Sequence, residues 1–131
     1  MKDIAILLPY KENFTEESAG AASIWVKDYL NKSKLKQKSI VYGSLEKNSK
    51  PLIKNFKNLN IGNKLIKKNI SYTDKLYQEY LKYGFKIIEI HNRPESLLYL
   101  IKKKVKAKLI FVYHNNPQDL RSSASISERT F

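Results

Sequence analysis

The chain alternates between two hydrophobic patterns. Residues 3–8 form a nearly continuous apolar run, Asp3 excepted, stopped by Pro9. That pattern predicts a buried first strand. After a polar stretch and Gly20 the period changes, with Ala22, Val26, Tyr29 and Leu30 at i, i+4, i+7 and i+8 on one face. This spacing predicts a helix over residues 21–30 with those four inward. A second strand is predicted over residues 39–42, ending at Gly43. Through residues 44–70 lysine and asparagine interrupt every apolar pair and no period survives. A long connection is expected there, with one short strand or helix around residues 58–66.

Periodicity returns at Ser71. Tyr72, Leu76, Tyr80 and Leu81 form a helical stripe, Ser71 with Asp74 resembles a capping box, and Gly84 supplies a left-handed residue to end the helix. Residues 85–90 read as a strand. In the following His91-Asn92-Arg93-Pro94-Glu95, Asn92 is expected to cap a helix, Glu95 to reach back to it, and Pro94 to sit harmlessly in the first turn. Leu97, Leu98, Ile101 and Val105 are its expected apolar face. Residues 108–113 form another strand, followed by His114-Asn115-Asn116-Pro117, then a polar tail that opens a further helix at residues 127–129. Strands alternating with helices, the strands apolar almost throughout, predict an α/β, Rossmann-like, mostly parallel sheet with helices on both faces. A domain of this kind that stops as a helix begins reads as cut rather than finished.

At 131 residues the chain suits one domain and has enough surface to bury a core without staples. It has no cysteine, which excludes disulfides, a thiol nucleophile and cysteine zinc sites. No apolar run approaches the ~20 residues of a membrane span, and the N-terminal run is too short for a signal peptide. The cytoplasm is the expected compartment. Net charge is +13 and unevenly spread: residues 1–31 carry three lysines and five carboxylates, a net of −2, and the remainder 22 basic and seven acidic residues, a net of +15. Such a body attracts nucleic acid, anionic lipid or phosphorylated ligands. Yet 22 of the 25 basic residues are lysine, beside 11 asparagines and 14 isoleucines, the composition that A/T-rich codons produce. Charge alone is therefore discounted as evidence for nucleic acid, and a solvated lysine surface is the simpler reading.

Candidate chemistry lies where open parallel sheets bind ligands, beyond the carboxyl ends of the strands. The chain's two histidines each follow a predicted strand and each precede an asparagine: His91-Asn92 and His114-Asn115. Neutral imidazole offers one donor and one acceptor, asparagine two of each, a set suited to hydroxyl-rich ligands. Arg93 adds a fork for phosphate or carboxylate. Two histidines without an organised carboxylate set make a poor metal site. Gly20, ahead of the first helix, is a second candidate, because free N–H groups and the dipole favour an anion there. No dinucleotide fingerprint, P-loop or nucleophile elbow is present. Trp25 and the tyrosines could stack on bases, but Tyr72, Tyr77 and Tyr80 have the spacing of a core face.

Taken in order, the strand over residues 4–8, the Gly20 loop and helix, His91-Asn92-Arg93-Pro94-Glu95, His114-Asn115-Asn116-Pro117, Leu120-Arg121-Ser122 and Ser127-Glu128-Arg129 resemble glycosyltransferase family 4. Its GT-B fold sets two Rossmann-like domains across a cleft, the first mainly for acceptor and the second for nucleotide-sugar. The resemblance is weakest at residues 44–70. It implies that His114 is catalytic, that Gly20 approaches the donor diphosphate, and that His91, Asn92, Arg93 and Asn115 line the acceptor side. It implies no metal and no cofactor beyond the nucleotide-sugar, and a glycan or lipid-linked acceptor in cell-envelope polysaccharide synthesis. With the donor domain missing, residues 1–131 are expected to be inactive alone. The lysines at residues 32–38 and 102–106 suggest weak docking on an anionic inner leaflet. Two other classes remain open: a stand-alone module binding an anionic or polysaccharide ligand, and a nucleic-acid-binding domain using Lys102, Lys103, Lys104 and Lys106.

Overall fold

The computed structural model describes residues 2–12, 14–16, 19–45, 49–59 and 68–114. Five strands, β1 (Ile4–Leu7), β2 (Ser39–Gly43), β3 (Phe56–Asn58), β4 (Ile87–His91) and β5 (Lys108–Val112), form one sheet in the order β3-β2-β1-β4-β5. All the pairings are parallel. Helices α1 (Ala21–Lys32), α2 (Lys68–Tyr83) and α3 (Pro94–Lys102) alternate with the strands. This is the Rossmann-like α/β architecture that the hydrophobic pattern predicts, and the strand order reverses between β1 and β4.

β1 is apolar throughout because both of its faces are covered. Ile4, Ile6 and Leu8 pack with Ala22, Val26 and Leu30 of α1. Ala5 and Leu7 pack on the other face with Tyr72 and Leu76 of α2 and Leu97 and Leu100 of α3. A strand alternates its side chains, so this division fixes which residues of every strand look toward α1. In register, Ile6 lies beside Glu89 and Glu89 beside Ile110. Glu89 and His91 therefore belong to the α1 side.

The helix faces differ from the periodicity in instructive ways. Tyr29 is exposed, and Ser23 is buried with Ala22, Val26 and Leu30 instead. α2 begins at Lys68, so Ser71 and Asp74 are inside it and make no capping box; Asp74 instead accepts a hydrogen bond from the Tyr99 hydroxyl of α3. Leu81 is exposed, while Thr73 and Glu79 join Tyr72 and Leu76 inside. In α3 the inward residues are Ser96, Leu97 and Leu100; Ile101 faces out and Val105 lies beyond the helix. The cause is a polar seam: the hydroxyls of Thr73 and Ser96 meet at 2.7 Å, so two small residues let α2 and α3 approach where larger apolar ones would hold them apart. Gly84 ends α2 at φ +65, with its N–H on the carbonyl of Tyr80. A short strand, β3, spans Phe56–Asn58 and meets the segment expected to hold a short strand or helix, residues 58–66, only at Asn58; residues 60–67 and the tail expected to open a helix lie outside the described residues.

Candidate functional site

β4 reads Ile-Ile-Glu-Ile-His, with Ile88 and Ile90 buried against α2 and α3. The intervening positions put Glu89 and His91 on the α1 side, two residues apart on one face. Both are buried, His91 completely. A buried carboxylate needs a partner, and Glu89 has one: its Oε1 lies 2.6 Å from Nε2 of His91. His91 is the last residue of β4 rather than the first beyond it. Its other nitrogen, Nδ1, lies 2.7 Å from Nε2 of His114, just past β5. The two rings are within 10° of parallel with centroids 4.9 Å apart. The N···N contact plus the two ring radii accounts for that separation, so the imidazoles lie end to end in one plane rather than face to face. Glu89, His91 and His114 thus form a line running out of the sheet.

Backbone geometry holds the far end of the line. Asn92 does not cap α3; Arg93 holds that position, its carbonyl accepting from the N–H groups of Ser96 and Leu97, with Pro94 in the first turn. Asn92 takes a left-handed conformation, φ +61, which asparagine tolerates better than most residues. Its N–H reaches the carbonyl of Val112 and its Oδ1 accepts the N–H of His114, both near 2.9 Å. Asn92 therefore ties the end of β4 to the end of β5. Asn115 lies outside the described residues.

The third wall is α1. Gly20 precedes it with extended backbone, so it is glycine for space and not for a positive φ. A Cβ there would come within 2.6 Å of the Glu12 carboxylate. That carboxylate accepts both the N–H and the Oγ–H of Ser23, each at 2.6 Å, in the first turn where free N–H groups attract an anion. The seat expected for a donor phosphate is thus taken by a carboxylate from the loop after β1. One turn on, Trp25 is partly exposed and stands with its ring centroid 5.4 Å from both His91 and His114. It also stacks on Tyr29 at 5.2 Å, which explains why Tyr29 is outside the core.

Burial holds His114 below the ordinary histidine range, reinforced by neighbouring His91 and opposed by Glu12 and Glu89. Burial and His91 thus both favour the neutral ring of His114. The line of Glu89, His91 and His114 does not converge on a point, and among the described residues no cluster of three or more such side chains could hold a metal ion. Glu89 and Glu12 were not legible as site residues from motifs, and Trp25 was weighed only as a surface for stacking bases. The available signals were a carboxylate inside an apolar strand, at i−2 from a histidine, and a lone tryptophan next to the buried face of α1.

A second polar cluster lies on the opposite face of the sheet. Buried Glu79 accepts from Tyr42 Oη at 3.1 Å and from Lys57 Nζ at 2.8 Å, beside a cavity of about 420 Å³ lined also by Ile40, Tyr83 and Phe85. Burial works against the Glu79 charge, but the bonds from Lys57 and Tyr42 outweigh it and hold the carboxyl below its ordinary range. This cluster joins α2 to β2 and β3. Among the described residues no helix is long and apolar enough to cross a membrane. Compared with known proteins, the chain matches no family model, no curated protein and no solved structure.

Proposed function

We propose that this domain is the acceptor-side half of a glycosyltransferase, moving a sugar from a nucleotide-sugar to a glycan or lipid-linked acceptor. The observation that carries the reading is the joining of His91 and His114 at the ends of β4 and β5, on the carboxyl end of the sheet where parallel sheets take ligands, next to the β1–β4 reversal of strand order. The groups there suit a sugar. His114 presents a neutral imidazole to a hydroxyl, and Trp25 offers a flat apolar face to the C–H side of a pyranose ring; Arg93 is the residue that precedes α3. A donor diphosphate would reach the α1 N-terminus only by displacing Glu12, which is the role this reading leaves for Gly20. The lysine-rich opposite end of the sheet is the surface assigned to an anionic leaflet.

A stand-alone glycan-binding module is the second reading, favoured by the Glu12 carboxylate already seated at the helix N-terminus. Titrating the ¹⁵N-labelled chain with oligosaccharides, and separately with UDP, separates the two. Oligosaccharide-induced shifts confined to Trp25, His91, Asn92, Arg93 and His114 support an acceptor site. Added shifts at Gly20 and Ser23 with UDP favour the transferase, and their absence favours the module. Oligosaccharide shifts elsewhere, or none, defeat both.

A further inference from the structure

We propose that Glu89 and His91 are positioning residues that keep Nδ1 of His114 unprotonated, so that His114 is the proton acceptor for a ligand hydroxyl at this edge. The inference rests on reading the edge as a hydroxyl-binding site and adds the machinery behind it. An ionised carboxylate can only accept hydrogen bonds. The 2.6 Å contact therefore requires the proton on Nε2 of His91. A neutral imidazole has one N–H, so Nδ1 of His91 is a bare acceptor. The 2.7 Å contact from that atom to Nε2 of His114 then requires the proton on the latter. By the same count, Nδ1 of His114 carries a lone pair, and among the described residues it has no hydrogen-bond partner.

The line also gives a removed proton somewhere to go. As the ligand O–H bond breaks, its electron pair stays on oxygen and the proton binds Nδ1 of His114. The proton on Nε2 of His114 passes to Nδ1 of His91. His91 becomes an imidazolium paired with the Glu89 carboxylate, and His114 returns to neutrality as the other tautomer. The positive charge ends on a fully buried ring paired with the Glu89 carboxylate. Other groups facing His114 are Glu12 from the loop after β1, which favours its protonation, and Trp25 from α1, whose ring covers the junction without titrating.

Long-range ¹H–¹⁵N correlation of the histidine rings in the purified chain tests this directly. At pH 8 both histidines should show a protonated Nε2 and a bare Nδ1. On acidification, the first proton taken up by the pair should appear on Nδ1 of His91, with the two rings titrating as one coupled unit. In Glu89→Gln the amide oxygen still accepts from His91 but carries no charge, so this uptake should move to at least tenfold higher proton concentration. A protonated Nδ1 on His114 at pH 8 overturns the proposal, as do independent titrations or an unmoved uptake in Glu89→Gln. The wild-type measurement stands even if the variant fails to fold. An intact relay without oligosaccharide-induced shifts sustains this inference and defeats only the sugar-acceptor reading.

Discussion

The two ends of the sheet are built by opposite means. At the carboxyl end, Lys11, Lys68 and Arg93 are matched by Glu12, Glu16 and Glu95 among the described residues. The functional groups there are aromatic or shared between hydrogen-bonded partners. At the other end the parallel topology collects strand starts and helix ends, and with them Lys2, Lys32, Lys34, Lys36, Lys38, Lys54, Lys82, Lys86, Lys102, Lys103, Lys104, Lys106 and Lys108, which outnumber the acids there, such as Asp3, among the described residues. The lysine clusters at residues 32–38 and 102–106 are far apart in sequence and share this end. Cations at helix C-termini are favourable, which helps the fold tolerate them there. The carboxyl end spends burial and hydrogen bonds on a few residues; the amino end carries most of the net charge, on lysines that are mostly exposed and of which Lys82 and Lys103 lie over tyrosine rings. Strands of five residues separate the ends by about 17 Å. Docking the lysine end on a bilayer would hold the histidine edge away from the lipid, so a lipid-linked acceptor would have to reach past the domain.

This contrast orders the expected effects of mutation. The largest should be Glu89→Ala. It strips the fully buried His91 of its acceptor, and a buried N–H left unsatisfied costs about 1–3 kcal/mol, with more when a charge is involved. Urea unfolding of the purified chain should show a loss near the top of that range. A loss below about 0.5 kcal/mol would mean that the carboxyl end is no more tightly built than the lysine end.

Next is Gly20→Ala. The added Cβ would press on the Glu12 carboxylate at 2.6 Å and release both Ser23 bonds, a cap worth about 1 kcal/mol. In a Glu12→Ala background the same change should cost nothing further, since the obstacle and the cap are already gone. A double-mutant cycle reads the difference as coupling. Additive losses would show that Gly20 and Glu12 do not share the seat.

What the sequence made legible follows from what each region depends on. Strands β1, β2, β4 and β5 and their parallel arrangement are visible because strands of a covered parallel sheet read as near-continuous apolar runs, a pattern that holds even in half-buried β5, and Gly84 marks the end of α2 because its φ is positive. Pairing the two His-Asn dipeptides at one edge came from their common place beside strand ends. Their connection did not, because it runs through Glu89, a residue that strand patterning treats as an interruption. The start of α2 was misread because Ser71, which lies inside the helix, imitates a cap. Asn92 looked like a cap and is instead a left-handed tie between strands, a role set by β5, more than twenty residues on. Local signals read local geometry, and the site is built from long-range contacts.

A smaller effect concerns pH. His114 is held below its ordinary range in the fold, so between that value and about 6.5 the unfolded chain binds more protons than the folded one. Stability should therefore rise with pH through this window and be flat with respect to His114 above it. His114→Gln should flatten that part of the profile. The Glu79 contribution runs separately: with its carboxyl held low, its stabilisation is present above about pH 4.3 and is lost on further acidification. Denaturation midpoints of wild type and His114→Gln from pH 8 to 5 distinguish the two. Parallel curves would show that His114 has the same proton affinity folded and unfolded.

The smallest effect on stability should come from the region with the most charge. Replacing Lys102, Lys103, Lys104 and Lys106 together by glutamine removes four exposed positive charges from the end of α3 and the turn before β5. Exposed surface changes usually shift stability by less than about 0.5 kcal/mol each, and here relief of lysine–lysine repulsion offsets the lost helix-end interactions. Binding should respond instead. Each lysine near an anionic leaflet contributes about 1 kcal/mol at low salt, an attraction that fades beyond a Debye length of ~8 Å at physiological salt. Co-sedimentation with vesicles containing phosphatidylserine should therefore fall at least tenfold in the quadruple variant and vanish at high salt, with no binding to neutral vesicles. Unchanged co-sedimentation, or equal binding to neutral vesicles, would leave the lysine end as ordinary solvated surface and reduce the contrast between the two ends to one of packing alone.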